Sequence, residues 1–129
     1  MLKSIYTASA PEPIGPYSQA VATESFIFCS GQTPIDPAQA KLINGDVSEQ
    51  AEQALKNLGE VLRAAGVGYA NVVKTTVFLV DMADFPAVNA VYATFFGDHK
   101  PARSTVAVAG LPMGCRVEID AIALTSGRG

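Results

Sequence analysis

The stretch DVSEQAEQALKNLGEVLRAAG, residues 46–66, predicts an amphipathic helix around which the other elements can be placed. Asp46 followed three residues later by Glu49 is the pattern of an N-terminal capping box. Apolar residues then recur at helical spacing through the rest of the stretch, so that one face of the helix is apolar. Gly66 is suited to end the helix in a left-handed conformation. A helix of this kind must bury its apolar face against another layer.

The segments that follow predict strands and a second helix. Residues 72–80, VVKTTVFLV, are β-branched and aromatic, which is typical of a strand. A second helix is expected from Asp84 to Gly97, with Pro86 in its first turn, where the missing N–H is harmless. The other predicted elements are two short strands within 17–30 that are hinged at 23–25, a loop at 31–45, and strands at 103–108 and 116–124.

The element order ββαβαββ predicts an α+β fold, with a mixed or antiparallel sheet and both helices on one face. We expect the turn at 109–114 to fold strand 103–108 back against strand 116–124. In strand 72–80 neither set of alternating side chains is polar, although two helices can cover only one face of a sheet. The second apolar face needs a cover, and the simplest cover is another copy of the chain. We therefore expect a homo-oligomer.

Length and composition favour a single domain over residues 1–129 and a soluble cytoplasmic protein. Hydrophobic residues make up 49% of the chain and charged residues 16%, which provides ample material for a core. The net charge of −3 and the scattered basic residues argue against a nucleic-acid partner. No apolar run approaches the ~18 residues of a membrane span, and the N-terminus lacks the apolar segment of a secretory signal.

The cysteines and the histidine do not suggest a metal site. Cys29 and Cys115 lie far apart in the sequence, and His99 is the sole histidine, so a zinc site lacks ligands. We interpret the cysteines as two separate reduced thiols rather than a disulfide. His99 lies in the polar segment GDHKP and is interpreted as a solvated loop residue, with a catalytic role as the alternative.

Two charged residues are candidates for chemistry. Arg103 stands at the head of a strand without an acidic neighbour; it could form a salt bridge there or clamp a planar carboxylate with its guanidinium. In the last strand, RVEIDAIAL, the residues Arg116, Glu118 and Asp120 alternate with apolar ones. That face could be a solvated edge, or Glu118 could be a catalytic carboxylate held near Arg103.

Four further positions are candidates for ligand binding. The segment CSGQ ends a strand with Ser30 and Gly31, where backbone N–H groups could bind a ligand or water. Tyr17 follows the rigid segment PIGP and is either a core aromatic or a lid over a pocket. Asn89 lies on the apolar face of the second helix, where a buried amide must be hydrogen-bonded. It either ties down a neighbouring loop or contacts a ligand.

Taken together, five segments resemble the Rid family of reactive-intermediate deaminases, also called YjgF-like, over nearly the whole chain. They are APEPIGPYSQAV, FCSGQTPIDP, the capped helix quoted above, KTTVFLVDMADFPAVNAVYATFF and PARSTVAVAGLPMGCRVEIDAIA. The resemblance implies a chorismate-mutase-like α+β fold that assembles as a homotrimer, with ligand sites in the clefts between subunits. The implied activity is hydrolysis of short 2-imino acids, which arise from enamines such as 2-aminoacrylate, to a 2-oxo acid and ammonia.

The resemblance also implies roles for individual residues. The positions that match the family's site are Arg103, Glu118, Ser30, Gly31, Tyr17 and Thr105. Arg103 would bind the substrate carboxylate, and Glu118 would hold the attacking water and transfer its proton. Thr105 stands where many members have a cysteine, which excludes a thiol mechanism at this position; its backbone would still orient the substrate. No metal or organic cofactor is implied.

Two other functions remain open from the sequence. The same cleft could belong to a non-catalytic protein that binds a metabolite carboxylate, which would need Arg103 but not Glu118. A ribonuclease or translation inhibitor, an activity attributed to some relatives, is disfavoured by the negative net charge and the dispersed basic residues.

Overall fold

The structure, a computed structural model, describes residues 1–126, which form a six-stranded sheet, a two-stranded ribbon and two α-helices. The strands are β1 (Lys3–Ile5), β2 (Ala20–Ala22), β3 (Phe26–Gln32), β4 (Ile35–Asp36), β5 (Lys41–Leu42), β6 (Val72–Leu79), β7 (Ala102–Ala107) and β8 (Val117–Leu124). The helices are α1 (Val47–Ala64) and α2 (Phe85–Phe96), and short 3-10 turns cover Tyr69–Asn71, Met82–Asp84 and Pro112–Gly114. Within this part of the chain, neither helix could cross a lipid bilayer, given its length and hydropathy.

Helix α1 forms where the sequence predicts it. The Asp46 side chain accepts the N–H of Glu49 at 2.9 Å, and the Glu49 side chain accepts the N–H of Asp46 at the same distance. Gly66 follows the helix with a φ of 85°, a left-handed value that suits glycine. Leu55 and Leu58 on the apolar face are fully buried. The capping box and the buried face of the helix are thus confirmed.

The strands of the sheet follow the order β1-β2-β3-β8-β6-β7. Neighbouring strands are antiparallel except β6 and β7, which α2 connects as a parallel pair. A connection between parallel strands must cross over the sheet, and α2 forms this crossover. β7 therefore lies at the edge, with β6 between it and β8. The prediction that strand 103–108 folds back against strand 116–124 is wrong.

Some smaller features of the sheet differ from the prediction. Residues 31–45, expected to be a loop, contain the β4–β5 ribbon, and β1 adds a strand at one edge of the sheet. In β6 the register against β8 is irregular between Val72 and Lys74. As a result Val72 is buried together with Thr75, whereas strict alternation would turn the two residues to opposite faces.

Both helices pack on one face of the sheet, so the predicted α+β fold is confirmed. That face contributes buried residues of three strands, among them Ile27, Val77 and Ile119. The opposite face leaves apolar side chains in solvent: Phe26 is 39% exposed and Phe28 is 48% exposed. This exposed apolar surface is of the kind that other protein surfaces cover.

Candidate active site

Arg103 lies in β7, and its side chain reaches across to α2. Its Nη1 donates a hydrogen bond to Oδ1 of Asn89 at 2.8 Å. The central guanidinium carbon lies 4.8 Å from the ring centroid of Tyr92 and 5.3 Å from that of Phe85, so the cation rests on two aromatic faces. Among residues 1–126 no carboxylate forms an ion pair with Arg103. The guanidinium is therefore held in place while its charge is not neutralised.

The contacts on Arg103 are themselves anchored in the sheet. The hydroxyl of Tyr92 is hydrogen-bonded to the hydroxyl of the buried residue Thr75 at 2.7 Å, which fixes the ring beside the guanidinium. Asn89 is half-buried and orients Arg103 instead of tying down a loop. A direct contact between Asn89 and a ligand stays a prediction.

A cavity of about 440 Å³ surrounds Arg103. Lys100 and His99 also line it, so the wall of this cavity carries basic groups. His99 is half-buried, and its Nε2 donates to the carbonyl of Val72 at 2.6 Å. His99 thus lies in the loop between α2 and β7, as expected, but its ring is bound by the backbone at the start of β6 and is not fully solvated.

Glu118 lies in β8 on the sheet face opposite to the helices, and β3 is distorted next to it. The register between β3 and β8 shifts between Cys29 and Gln32, so that Ser30 and Gly31 form a bulge. A Cβ at Gly31 would overlap the Glu118 carboxylate. Only glycine therefore allows this carboxylate to lie directly against the β3 backbone.

The pKa of the Glu118 carboxyl is raised above its ordinary value. Partial burial is the main cause, since loss of hydration disfavours the charged form, and the negative charge of Asp120 is the second cause. Asp120 is held on the same face, where its Oδ1 accepts the N–H of Thr76 at 3.0 Å. A carboxyl with a raised pKa is better suited to accept a proton and return it near neutral pH.

Glu118 lines a second cavity, of about 410 Å³. Ser30, Gly31 and Tyr17 line the same cavity, so the structure brings four of the predicted site residues together. Tyr17 is 54% exposed and is not a core aromatic. The Ser30 hydroxyl donates to the carbonyl of Ser18 at 2.6 Å, which joins β3 to the segment that carries Tyr17.

The structure does not bring Arg103 and Glu118 together within one chain. β6 lies between their strands, and the two side chains point to opposite faces of the sheet. Thr105 follows two residues after Arg103 on the helix-covered face and lines neither cavity. The expectation that the turn at 109–114 would bring both charged residues into one neighbourhood is wrong.

One chain thus carries two half-sites of opposite charge on opposite faces. The cationic half-site consists of Asn89, Tyr92, His99, Lys100 and Arg103. The acidic half-site consists of Glu12, Tyr17, Ser30, Gly31 and Glu118.

Sequence reasoning missed the residue that shapes the loop over the acidic half-site. Gln19 is 1% exposed, and its Oε1 accepts the N–H of Thr7 at 2.7 Å. Its Nε2 donates to the carbonyls of Thr7 at 3.0 Å and Pro11 at 2.9 Å. Glu12, which follows Pro11, accepts a hydrogen bond from the hydroxyl of Tyr6 and lines the cavity. No local pattern marks Gln19, because its partners lie eight to twelve residues away.

Both cysteines are free and buried, which confirms the prediction of two separate thiols. Burial, together with the charge of Asp120, raises the pKa of Cys29 to about 12. Burial also raises the pKa of Cys115. The reactive thiolate form is therefore disfavoured at both positions.

Replacing Gln19 with leucine should lower the free energy of unfolding by about 2–4 kcal/mol, because buried groups of the 7–11 segment lose their partners. Denaturant unfolding at equal protomer concentration measures this change. Gln39→Leu is the control, since Gln39 is exposed. A loss for Gln19→Leu no larger than that of the control would contradict the anchoring role.

The Endoribonuclease L-PSP family model matches residues 7–125. The 2-iminobutanoate/2-iminopropanoate deaminase of Mus musculus is 56% identical over 122 residues, which cover 95% of this chain and 90% of that protein. The Homo sapiens protein of the same name is 52% identical over 120 residues, which cover 93% and 88% of the two chains.

Solved structures give the same grouping. The crystal structure of E. coli TdcF with bound serine matches with a TM-score of 0.91 and 44% identity, covering 96% of this chain and 99% of that one. The E. coli YjgF gene product matches with a TM-score of 0.90 and 46% identity, covering 95% and 98%. The chain therefore belongs to the Endoribonuclease L-PSP family, the Rid or YjgF-like family that its motifs resemble.

Proposed function

We propose that this protein hydrolyses short 2-imino acids, which arise from enamines such as 2-aminoacrylate, to a 2-oxo acid and ammonia. The relatives named 2-iminobutanoate/2-iminopropanoate deaminase support this reaction. The observation that carries the proposal is the opposite charge of the two half-sites. Arg103 suits a carboxylate, and Glu118 suits a protonated imine nitrogen and a water molecule. A 2-imino acid has its carboxylate and its imine on adjacent carbons, so one substrate needs both half-sites at close range.

We propose that a homotrimer joins the half-sites. Arg103 and Glu118 lie on opposite faces of one sheet, so a site that contains both must combine the cationic half-site of one subunit with the acidic half-site of the next. Such head-to-tail contacts close into a ring, and the trimer is the ring that the family resemblance implies. The exposed apolar side chains Phe26 and Phe28 support the burial of this sheet face against a neighbouring subunit.

Substrate binding begins with the carboxylate. Asn89 occupies one donor of the Arg103 guanidinium, and the remaining donors are free to bind two carboxylate oxygens. Because Tyr92 and Phe85 lie against the face of the cation, its edge stays open. Thr105 lines neither cavity of the single chain, but β7 is an edge strand, so its backbone joins that of Gly31 in orienting the imine nitrogen and water when the subunits meet. Tyr17 covers the site, and Ser30 holds the bulge in place.

Hydrolysis then needs one water molecule and one proton-transfer group. The Glu118 carboxylate accepts a proton as the water oxygen bonds to the imine carbon, and the C=N π electrons move to nitrogen. Glu118 returns the proton to this nitrogen and then accepts the hydroxyl proton as the C–N bond breaks, the C=O bond forms and ammonia leaves; ammonia carries that proton away as ammonium. The close approach of Glu118 to Gly31 fixes the carboxylate for this step. Imines hydrolyse readily in water, so positioning and one acid–base group suffice without metal or cofactor.

Two other functions make different demands on the same residues. A protein that only binds a carboxylate needs the cationic half-site but does not need Glu118. The family description names an endoribonuclease, but Glu12 and Glu118 place carboxylates in one cavity, which disfavours the phosphates of RNA. The imine deaminase uses both half-sites. We place it, as a single domain, in the cytoplasm, where free thiols such as Cys29 persist.

Mixed trimers test whether the site is shared between subunits. Arg103→Ala removes the carboxylate clamp and Glu118→Gln removes the base, so each variant alone should lose at least about 99% of the activity. Co-expressed in equal amounts with different affinity tags and purified on both tags, the mixed trimers should regain roughly a third of the wild-type activity, because each contains one intact site out of three. The assay is 2-oxo acid formation from 2-aminoacrylate generated in situ.

Arg103→Ala co-expressed with itself under the same two tags is the control and should stay inactive. If purified mixed trimers regain no activity, the shared site is wrong. If the wild-type protein does not increase the rate above the uncatalysed rate, the deaminase function is contradicted. The non-catalytic, carboxylate-binding function is then favoured.

The pH dependence tests the role of Glu118. The ionised carboxylate is the base, so kcat/KM should fall as the pH decreases through the raised pKa of Glu118. Asp120→Asn removes a nearby negative charge, which lowers this pKa and moves the acidic limb to lower pH. Glu24→Gln, which removes an exposed carboxylate elsewhere, is the matched control. If the acidic limb of the kcat/KM profile of Asp120→Asn lies at the same pH as in the wild type, or at higher pH, Glu118 is not the titrating base.

A further inference from the structure

The cavity of the acidic half-site has an apolar part that the hydrolysis itself does not use. Ile14, Ile35, Pro112 and Met113 line it beside the polar residues. Met113 is 58% exposed, and Ile14 is 87% exposed. These two long, exposed apolar side chains beside the Glu118 carboxylate are suited to bind an apolar part of a ligand.

Met113 has a backbone conformation that few non-glycine residues adopt. Its φ of 59° and ψ of 17° lie in the left-handed region. The turn around it is closed by hydrogen bonds from Gly114 to the Leu111 carbonyl and from Cys115 to the Pro112 carbonyl, each at 3.2 Å. A strained residue persists only where its surroundings hold it, and such residues concentrate at functional sites.

The chain that leaves this turn is anchored to both helices. The N–H of Arg116 donates to Oε1 of Gln50, a buried residue of α1, at 2.8 Å. The Arg116 guanidinium binds both carboxylate oxygens of Asp84, just before α2, at 2.7 and 3.1 Å. Between the turn and Arg116, Cys115 is fully buried. The Met113 side chain therefore projects from a fixed turn at the cavity.

The shape of the substrate identifies the group that reaches Met113, and this step rests on the proposed function. The imine carbon is planar and has three substituents: the carboxylate, the nitrogen and the amino-acid side chain. Arg103 of the partner subunit binds the carboxylate, and Glu118 exchanges protons with the nitrogen and the water. The side chain is the substituent left to face the apolar part of the cavity.

We infer that Met113 determines specificity for the substrate side chain, by contacting the alkyl chain of the imino acid together with Ile14. A methyl side chain is too short to contact Met113, so it gains no binding free energy there. In a longer chain, each further CH₂ group is buried against Met113 and removed from water, which stabilises binding. The unbranched thioether adapts to chains of different length. Met113 therefore favours longer unbranched side chains over the methyl group.

The test compares two imino acids that an amino-acid oxidase makes in situ from L-norleucine and from L-alanine. Met113→Ser should lower the ratio of their kcat/KM values, norleucine-derived over alanine-derived, by about tenfold. Met113→Leu keeps an apolar side chain of similar size and should retain the ratio. Met82→Ser is the matched control, because Met82 is 45% exposed and lies outside this cavity.

A ratio in Met113→Ser equal to that of Met82→Ser overturns the inference. Equal losses for both substrates in Met113→Ser also overturn it, because they indicate a structural role for the turn. If the wild type hydrolyses neither imino acid, the proposed function fails first and the inference fails with it.

Discussion

The Arg103 guanidinium is positioned by residues of its own chain, but within residues 1–126 no carboxylate neutralises its charge. The proposed site depends on this unneutralised charge. An amide and two aromatic rings position the guanidinium. No carboxylate within residues 1–126 pairs with it. A carboxylate from the same chain would occupy the donors that we propose for the substrate carboxylate. The aromatic contacts orient the cation without using those donors.

For the proposed function, the topology makes the assembly of subunits necessary. Because α2 connects β6 to β7 as a parallel pair, the contacts on Arg103 lie on the helix-covered face. Glu118 points to the other face, against the bulge at Ser30 and Gly31. A single subunit therefore cannot bring its own two charged groups to one small substrate. We propose a neighbouring subunit that covers the exposed apolar face and completes the divided site.

The sequence predicted the parts of the fold that depend on local signals. The capping box at Asp46 and the glycine at position 66 act within a few residues, so α1 was predicted well. The pairing of β7 with β6 depends on contacts across the whole sheet, and adjacency along the chain gave the wrong partner. The bulge beside Glu118 also depends on pairing between distant strands, so the sequence does not predict it, although Ser30 and Gly31 are candidate site residues.

The candidate site was predicted in its chemistry more than in its geometry. Arg103 and Glu118 stand out because each is a charged residue on an otherwise apolar strand, whereas Gln19 and Met113 carry no such signal. The positions of these two residues depend on hydrogen bonds between distant segments and on one left-handed turn. Such features follow from the folded backbone and not from residue type.

A crystal structure with a bound 2-oxo acid, such as 2-oxobutanoate, tests the shared site most directly. The carboxylate of this product should bind Arg103 of one subunit, and its carbonyl carbon should lie next to Glu118 of the partner subunit. A product bound away from both residues, or bound by Arg103 with no Glu118 carboxylate near its carbonyl, would contradict the shared site.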